Sequence, residues 1–324
     1  AWVNSFPALC FNYIPAVTDQ ITIDSESSRF SNWLPLFLKI YKKPFVDDNT
    51  FRFTYYYPTK CHLLPYFGPA DMNSIRPIQI QHFFYIKSNL SQSELNKLHM
   101  ILVTAYRTAI DNGICKRSPM SYINYKSGRK KNEKHVYSDE QIDKVEQYSL
   151  KNFPEIVFSL QTGIRRGELC GLKKTDIDLT NKCFSVNRSI SEVHGGGIKE
   201  MPPKWNSHRD IPLSKLAIKA LQLSNNSNSL FAFPNKCGKA QSPSGYSNRL
   251  QRFMRKVERD CDCPQLTAHE LRHTFGTMLR RKGVDIYTIQ KIMGHKDINI
   301  TANTYVHNEL ETLRCSLKNA SLDY

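Results

Sequence analysis

Apolar residues recur at helical spacing along much of this chain. Trp33, Leu34, Phe37, Leu38 and Tyr41 mark one side of a stretch beginning at Ser31. Its Pro35 is compatible with a helix only in the first turn. A longer helix starts at Ser91, where Ser91 and Glu94 have capping-box spacing. Leu95, Leu98, Leu102, Ala105, Tyr106 and Ala109 supply its apolar face, and Asn112-Gly113 closes it. Beyond residue 135 the pattern becomes mixed. Ser138 opens one helix, and a second runs from Phe153 to Leu169 with Pro154 near its start. Strands are predicted at Cys183–Ile190 and Arg209–Leu213, separated by the glycine turn at 195–197. Helical patterns return at Ser214–Leu223, at Ser247–Arg259 and from Thr267, where Thr267 and Glu270 form another capping box. A last amphipathic helix carries Ile286, Ile289, Ile292 and Met293 and is closed by Gly294.

These elements predict an α+β chain. A small all-α domain is followed by a mostly helical domain with a small antiparallel β-sheet. The boundaries fall as an N-terminal extension without clear period over 1–27, a helical domain over 28–125, a basic connector over 126–134, the mixed domain over 135–308 and a tail over 309–324. Leu310, Leu313 and Leu317 in the tail would pack on their own domain or dock onto a neighbouring protomer.

Charge narrows the function. Across 324 residues, Lys+Arg of 45 against Asp+Glu of 29 gives +16, a balance suited to a polyanion such as duplex DNA. The connector holds Arg129, Lys130 and Lys131, and is either a solvated linker or a strip lying along phosphates. The stretch Ser247–Arg259 carries Arg249, Arg252, Arg255 and Lys256, which would form a basic face able to enter a groove. Nine cysteines lack metal-ligand spacing and read as reduced thiols, so the expected setting is the bacterial cytoplasm, in association with DNA. No apolar run is long enough to span a bilayer, so no membrane partner is expected. Residue 1 is not Met, and a further domain could precede it.

Single basic residues in the second half of the chain carry the candidate chemistry. Arg165 in TGIRRGEL lies three residues before Glu168, an acid placed to hold its guanidinium by a bidentate pair. A purely structural pair would show the same spacing. Arg166 is adjacent and points to another face. Lys204 leads into the Arg209–Leu213 strand, at the position of a hairpin tip. His269 and Arg272 sit three apart on one helix, His295 directly follows the Gly294 cap, and Tyr305 comes ten residues later. Guanidiniums, an ammonium, imidazoles and a phenol are together the parts needed to attack a phosphodiester.

These boxes resemble those of the tyrosine recombinases, the phage-integrase family, most of all the integrases of phages and conjugative transposons. The T-G-x-R box at Arg165, the Lys204 that precedes R-x-I-P-L, the H-x-x-R-H box at His269 and Arg272, the G-H at His295 and the T-x-x-x-Y-x-H ending at Tyr305 all match. The resemblance covers roughly the last two-thirds of the chain. By pattern and position, the helical domain is similar to the family's core-binding domain. It implies a site-specific recombinase that breaks DNA through a 3′-phosphotyrosyl bond to Tyr305 and rejoins it to a partner duplex. Arg165 and Arg272 would grip the phosphate and stabilise the transition state, His295 would add a hydrogen bond, and His269 would take the phenol proton or hold the phosphate, with Lys204 as general acid and Glu168 in support. It further implies a tetramer on two duplexes, accessory DNA-bending or directionality proteins, and neither metal nor other cofactor. A type IB topoisomerase would use similar residues, and an architectural DNA-binding protein could keep the fold without the chemistry. A hydrolytic nuclease would need clustered carboxylates for metal, and these are missing from the sequence.

Overall fold

Phe30, Trp33, Leu34, Phe37 and Leu38 bury their side chains together, and this stripe builds the first helix, α1 (Phe30–Tyr41). A computed structural model describes residues 25–129, 135–193, 196–224 and 228–294. Pro35 falls in the second turn of α1, beyond the first turn where it was expected, and removes a hydrogen bond to the Ser31 carbonyl. An interior proline costs about 3 kcal/mol, whereas each large apolar side chain buried returns roughly 1.5–3 kcal/mol. The five buried residues therefore win, helped by Trp33 Nε1, which donates to the Ala105 carbonyl at 3.0 Å.

The chain forms two compact units, Ala1–Asn132 and Glu133–Tyr324. In the first, α1 is followed by α2 (Pro77–Ile86) and α3 (Gln92–Asp111), around a core rich in Phe67, Phe83 and Phe84. Ser91 caps α3 by accepting the Glu94 N–H at 3.2 Å. The reciprocal half of the expected capping box does not form, because the Glu94 carboxylate pairs with Lys97 at 3.0 Å. The start of the basic connector lies on this unit. Ser127 Oγ donates to the Leu90 carbonyl at 2.6 Å, and the Gly128 N–H to the Ser88 carbonyl at 2.8 Å. Arg129 is exposed, and Lys130 and Lys131 lie outside the described residues.

The second unit opens on Tyr137, fully buried, whose hydroxyl donates to the Pro264 carbonyl at 2.7 Å. Ser138 and Gln141 then form a reciprocal capping box for α4 (Asp139–Asn152). The single helix expected over Phe153–Leu169 is instead two, α5 (Pro154–Thr162) and α6 (Arg166–Gly171). Gly163 breaks it by turning left-handed at φ +62°. Packing demands the break as well: a Cβ on Gly163 would run into the Phe275 ring and sit 3.0 Å from Met293 Sδ.

The strand expected over Cys183–Ile190 also divides. β1 (Ile177–Asp178), β2 (Cys183–Val186) and the later β5 (Arg209–Pro212) form one antiparallel sheet in the order β1-β2-β5. β3 (Ser189–Glu192) and β4 (Ile198–Met201) form a separate antiparallel hairpin, registered Ser189 to Met201 and Glu192 to Ile198. There are thus two small sheets among the described residues, where the sequence suggested one. Arg188 causes the switch, turning aside at the junction to pair with Asp176 and lie 3.7 Å from Glu200. Helices α7 (Lys215–Leu223), α8 (Pro243–Cys261), α9 (Ala268–Arg281) and α10 (Ile286–Met293) complete the described unit. Its core runs through Phe158, Phe184, Phe233, Leu271 and Met293.

Replacing Gly163 with Ala should therefore destabilise the second unit by roughly 2 kcal/mol or more, adding left-handed strain to overpacking. Thermal unfolding of Gly163→Ala checks this; a melting curve matching the parent's would contradict it.

Candidate active site

The break at Gly163 makes Arg165 the residue that enters α6, and Glu168 lies one turn on, on the inward face. The Glu168 side chain is 1% exposed. Such a burial is unfavourable for a lone carboxylate, and two guanidiniums answer it. Arg165 Nη1 donates to Oε1 at 2.8 Å, and the Arg165 backbone N–H to Oε2 at 3.0 Å. Arg209, projecting from β5, donates through Nη2 to Oε2 at 2.7 Å and through Nη1 to Oε1 at 3.1 Å. Burial alone would raise the Glu168 pKa. The hydrogen bond and charge of Arg209, followed by the charges of Arg165 and Arg272, outweigh it and hold the carboxyl down at about 2. Three guanidiniums thus face one carboxylate, and the cluster keeps a net positive charge.

The same three arginines meet again at the C-terminal end of α10. Helix ends leave carbonyls unpaired and carry partial negative charge, so cations settle there. Arg209 Nε donates to the Ile292 carbonyl at 2.7 Å, Arg272 to the Met293 carbonyl, and Arg165 Nη2 to the Gly294 carbonyl at 2.6 Å. Arg272, 2% exposed on α9, also donates to the Gly163 carbonyl at 2.6 Å. Elements far apart in sequence are tied at one point: the α5–α6 break, β5, α9 and the end of α10. Gly294 is left-handed at φ +62° and sits so close that a Cβ there would be 3.1 Å from Arg209 Nη1.

Arg165, Glu168 and Arg272 are therefore brought together. Lys204 is not at a hairpin tip. The tip joins β3 to β4, and Lys204 opens a short 3-10 turn, Lys204–Asn206, between β4 and β5. Gly196 and Gly197 lie between β3 and β4, so the tip falls at the glycine run and Lys204 comes after β4. Ser207 still links this turn to the cluster, donating to the Lys204 carbonyl at 2.9 Å and accepting from Arg165 Nη1 at 3.4 Å. His269 lies on the first turn of α9, exposed, with its ring centroid 4.3 Å from that of His273 in an edge-on arrangement. Thr267 and Glu270 fix that turn by a reciprocal capping box. His295 and Tyr305 lie outside the described residues. Sequence reasoning missed Arg209 as a site residue. Its signal was the R-x-I-P-L motif, read only as a strand.

The basic face of α8 is smaller than expected. Arg249 turns inward to Glu155 at 2.5 Å and covers the Phe153 ring at 4.9 Å, because the buried Glu155 carboxylate needs a cation. Arg252, Arg255 and Lys256 remain exposed. Arg166 points away from the cluster and donates to Ser247 Oγ at 2.8 Å. Among the described residues, no group of His, Cys, Asp and Glu is arranged to hold a metal ion, and no helix is long and apolar enough to cross a membrane.

Comparison with known proteins decides the family. The model of the phage integrase family matches residues 132–311, and that of the phage integrase N-terminal SAM-like domain matches 29–87. The chain belongs to the phage integrase family. It is 28% identical over 286 residues to a XerC-like tyrosine recombinase of Caldanaerobacter subterraneus, covering 74% of this chain and 71% of that one. It is 25% identical over 275 residues to the transposase of transposon Tn916 from Enterococcus faecalis, covering 78% and 68%. Among solved structures, the Tn1549 transposon integrase bound to a circular intermediate DNA superposes with a TM-score of 0.76 at 22% identity, covering 88% of this chain and 98% of that one. A lambda integrase dimer on a core site gives 0.61 at 16% identity, covering 86% and 96%. These superpositions carry the fold: a helical domain followed by a mainly helical domain with small antiparallel sheets. The family and its recombinase members make this chain a tyrosine site-specific recombinase.

The Glu168 cluster predicts a pH dependence of stability. A carboxylate has an unfolded pKa of about 4.3. The folded value is lower, so the stabilisation is fully present above the unfolded pKa and is lost as pH falls toward about 2. Glu168→Gln should melt well below the parent at pH 7, and the gap should narrow as pH falls below about 4. A gap independent of pH would show that the Glu168 charge contributes nothing.

Proposed function

We propose that this recombinase cuts and rejoins duplex DNA at specific sites of a mobile element, with Tyr305 as nucleophile. The convergence of Arg165 and Arg272 on the adjacent carbonyls of Gly294 and Met293, immediately before His295 in sequence, carries the reading. A phosphate needs such a group of fixed donors around its non-bridging oxygens, and donors fixed before the reaction need no reorganisation in the transition state.

In this scheme the Tyr305 oxygen attacks phosphorus and forms a 3′-phosphotyrosyl bond. The bond from phosphorus to the 5′-oxygen breaks, and Lys204 protonates that oxygen as it leaves. A phenol has an ordinary pKa of about 10, so attack at neutral pH requires a proton acceptor, the role assigned to His269. Arg165 and Arg272 carry the charge of the five-coordinate phosphorus, and His295 donates a further hydrogen bond. The 5′-hydroxyl of a second duplex then attacks the phosphotyrosine. One phosphodiester is broken and one made, so no ATP is required.

DNA as the partner is supported by the charge of +16 and by the DNA complexes of the Tn1549 and lambda integrases. A lambda integrase tetramer on a Holliday junction supports a tetramer here. The helical domain 28–125 and the catalytic domain 135–308 would each contact the duplex, with Arg129, Lys130, Lys131 and the α8 residues Arg252, Arg255 and Lys256 on phosphates. The tail 309–324 would dock onto a neighbouring protomer, and accessory bending or directionality proteins would set the outcome.

A nicked suicide duplex carrying the element's end tests the scheme. The wild-type chain should form an adduct that survives SDS. Tyr305→Phe should bind that duplex yet form none, and an adduct from the Phe variant would remove Tyr305 from the role. Arg165→Ala should cleave about 10²–10³-fold more slowly with a much smaller loss of affinity, since one preorganised donor is gone. Equal losses in binding and cleavage would make Arg165 an anchor for DNA instead.

The general acid has its own test. Lys204→Ala should fail on ordinary DNA but cleave a substrate whose leaving 5′-oxygen is replaced by sulfur, which needs no proton. Failure of the sulfur substrate to restore cleavage would reject Lys204 as proton donor.

A further inference from the structure

We propose that Arg209 is the positioning residue of the active site, holding Glu168 square to Arg165 and pinning the end of α10 directly ahead of His295. This rests on the recombinase reading above and extends it to a residue that touches neither DNA nor the reacting atoms. Arg209 has the geometry of a brace: its side chain is 5% exposed, and each of its three nitrogens is engaged. Nε holds the Ile292 carbonyl at 2.7 Å, Nη2 holds Glu168 Oε2 at 2.7 Å, and Nη1 reaches Glu168 Oε1 and the Ser207 carbonyl, both at 3.1 Å. One planar fork therefore joins the helix entered by Arg165, the segment carrying Lys204 and the last turn of α10. A lysine could place a charge there but could not present three donors in one plane.

Glu168 transmits the effect. It shares Oε1 between Arg165 Nη1 and Arg209 Nη1, so the direction in which Arg165 presents its remaining edge depends on where Arg209 holds the carboxylate. The charged groups facing Glu168 are Arg165 at the entry to α6, Arg209 on β5 and Arg272 on α9. Asp176 and Arg188, which lie nearby, are paired with each other. Without Arg209 the buried carboxylate loses its strongest partner and protonates at higher pH. Arg165 then loses its fixed acceptor in the acid range.

The test compares Arg209→Met, Arg209→Lys and the double variant Arg209→Met/Glu168→Gln in the full chain, on the same suicide duplex, across pH 5.5 to 9. Arg209→Met should cleave about a hundredfold more slowly at neutral pH, the size expected when reacting groups are misplaced by about an ångström. Its acid limb should move to higher pH than the parent's, and the double variant should lose that shifted limb. Arg209→Lys should keep the parental limb and cleave at an intermediate rate. A purely structural role would lower the rate without moving the limb. The proposal is overturned if Arg209→Met keeps the parental profile, if Arg209→Lys cleaves like the parent, or if the shifted limb survives in the double variant. Should Arg209→Met fail to fold, Arg209→Lys carries the test alone, and a parental rate from it rejects the brace. Absence of any adduct from the parent protein would instead sink the nucleophile assignment. In that event the brace is read without DNA: the melting-temperature gap between parent and Arg209→Lys should be present at pH 7, and a gap of zero overturns it.

Discussion

The Glu168 carboxylate is the constraint on which the second unit's site depends. A buried anion must be matched, and matching it from α6 and β5 fixes where those elements meet. The matching arginines then have donors left over, and the carbonyls at the end of α10 accept them. Arg272 closes the arrangement by joining the Gly163 and Met293 carbonyls. A charge-assisted hydrogen bond is worth about 1.5–3 kcal/mol, so this cluster is a stabilising element as much as a chemical one. Its surplus of positive charge makes the same residues receptive to a phosphate.

The parts of the fold legible in the sequence are those set by local rules. Capping at Ser138 and Thr267, and the glycine stop after Met293, each announce a helix end through groups a few residues apart. Part of the candidate site was legible for a similar reason, because Arg165 and Glu168, and likewise His269 and Arg272, lie within one helical turn of each other. The charge count pointed to a polyanion before any element was placed.

What the sequence hid was decided by contacts between distant residues. The stretch 153–169 has an unbroken helical pattern, and only the Phe275 ring and Met293 sulfur beside Gly163 show why the chain must turn there. Residues 183–190 alternate like one strand, yet the pairing of Arg188 with Asp176 splits them between two sheets. Arg249 reads as one more cation on a basic face until Glu155 is seen buried beside it. Arg209 was overlooked for the same reason, since its partners lie on α6 and α10.

Taken together, the candidate site is a basic cradle held by one carboxylate and one helix end, and the proposed mechanism brings a tyrosine nucleophile to it. The measurement that bears most directly on this is the chemical identity of the residue joined to DNA. A trapped adduct would be digested with nuclease and trypsin, and the modified peptide sequenced by mass spectrometry. The account predicts a nucleotide linked through its 3′-phosphate to Tyr305. Attachment at any other residue, or through a 5′-phosphate, would contradict it.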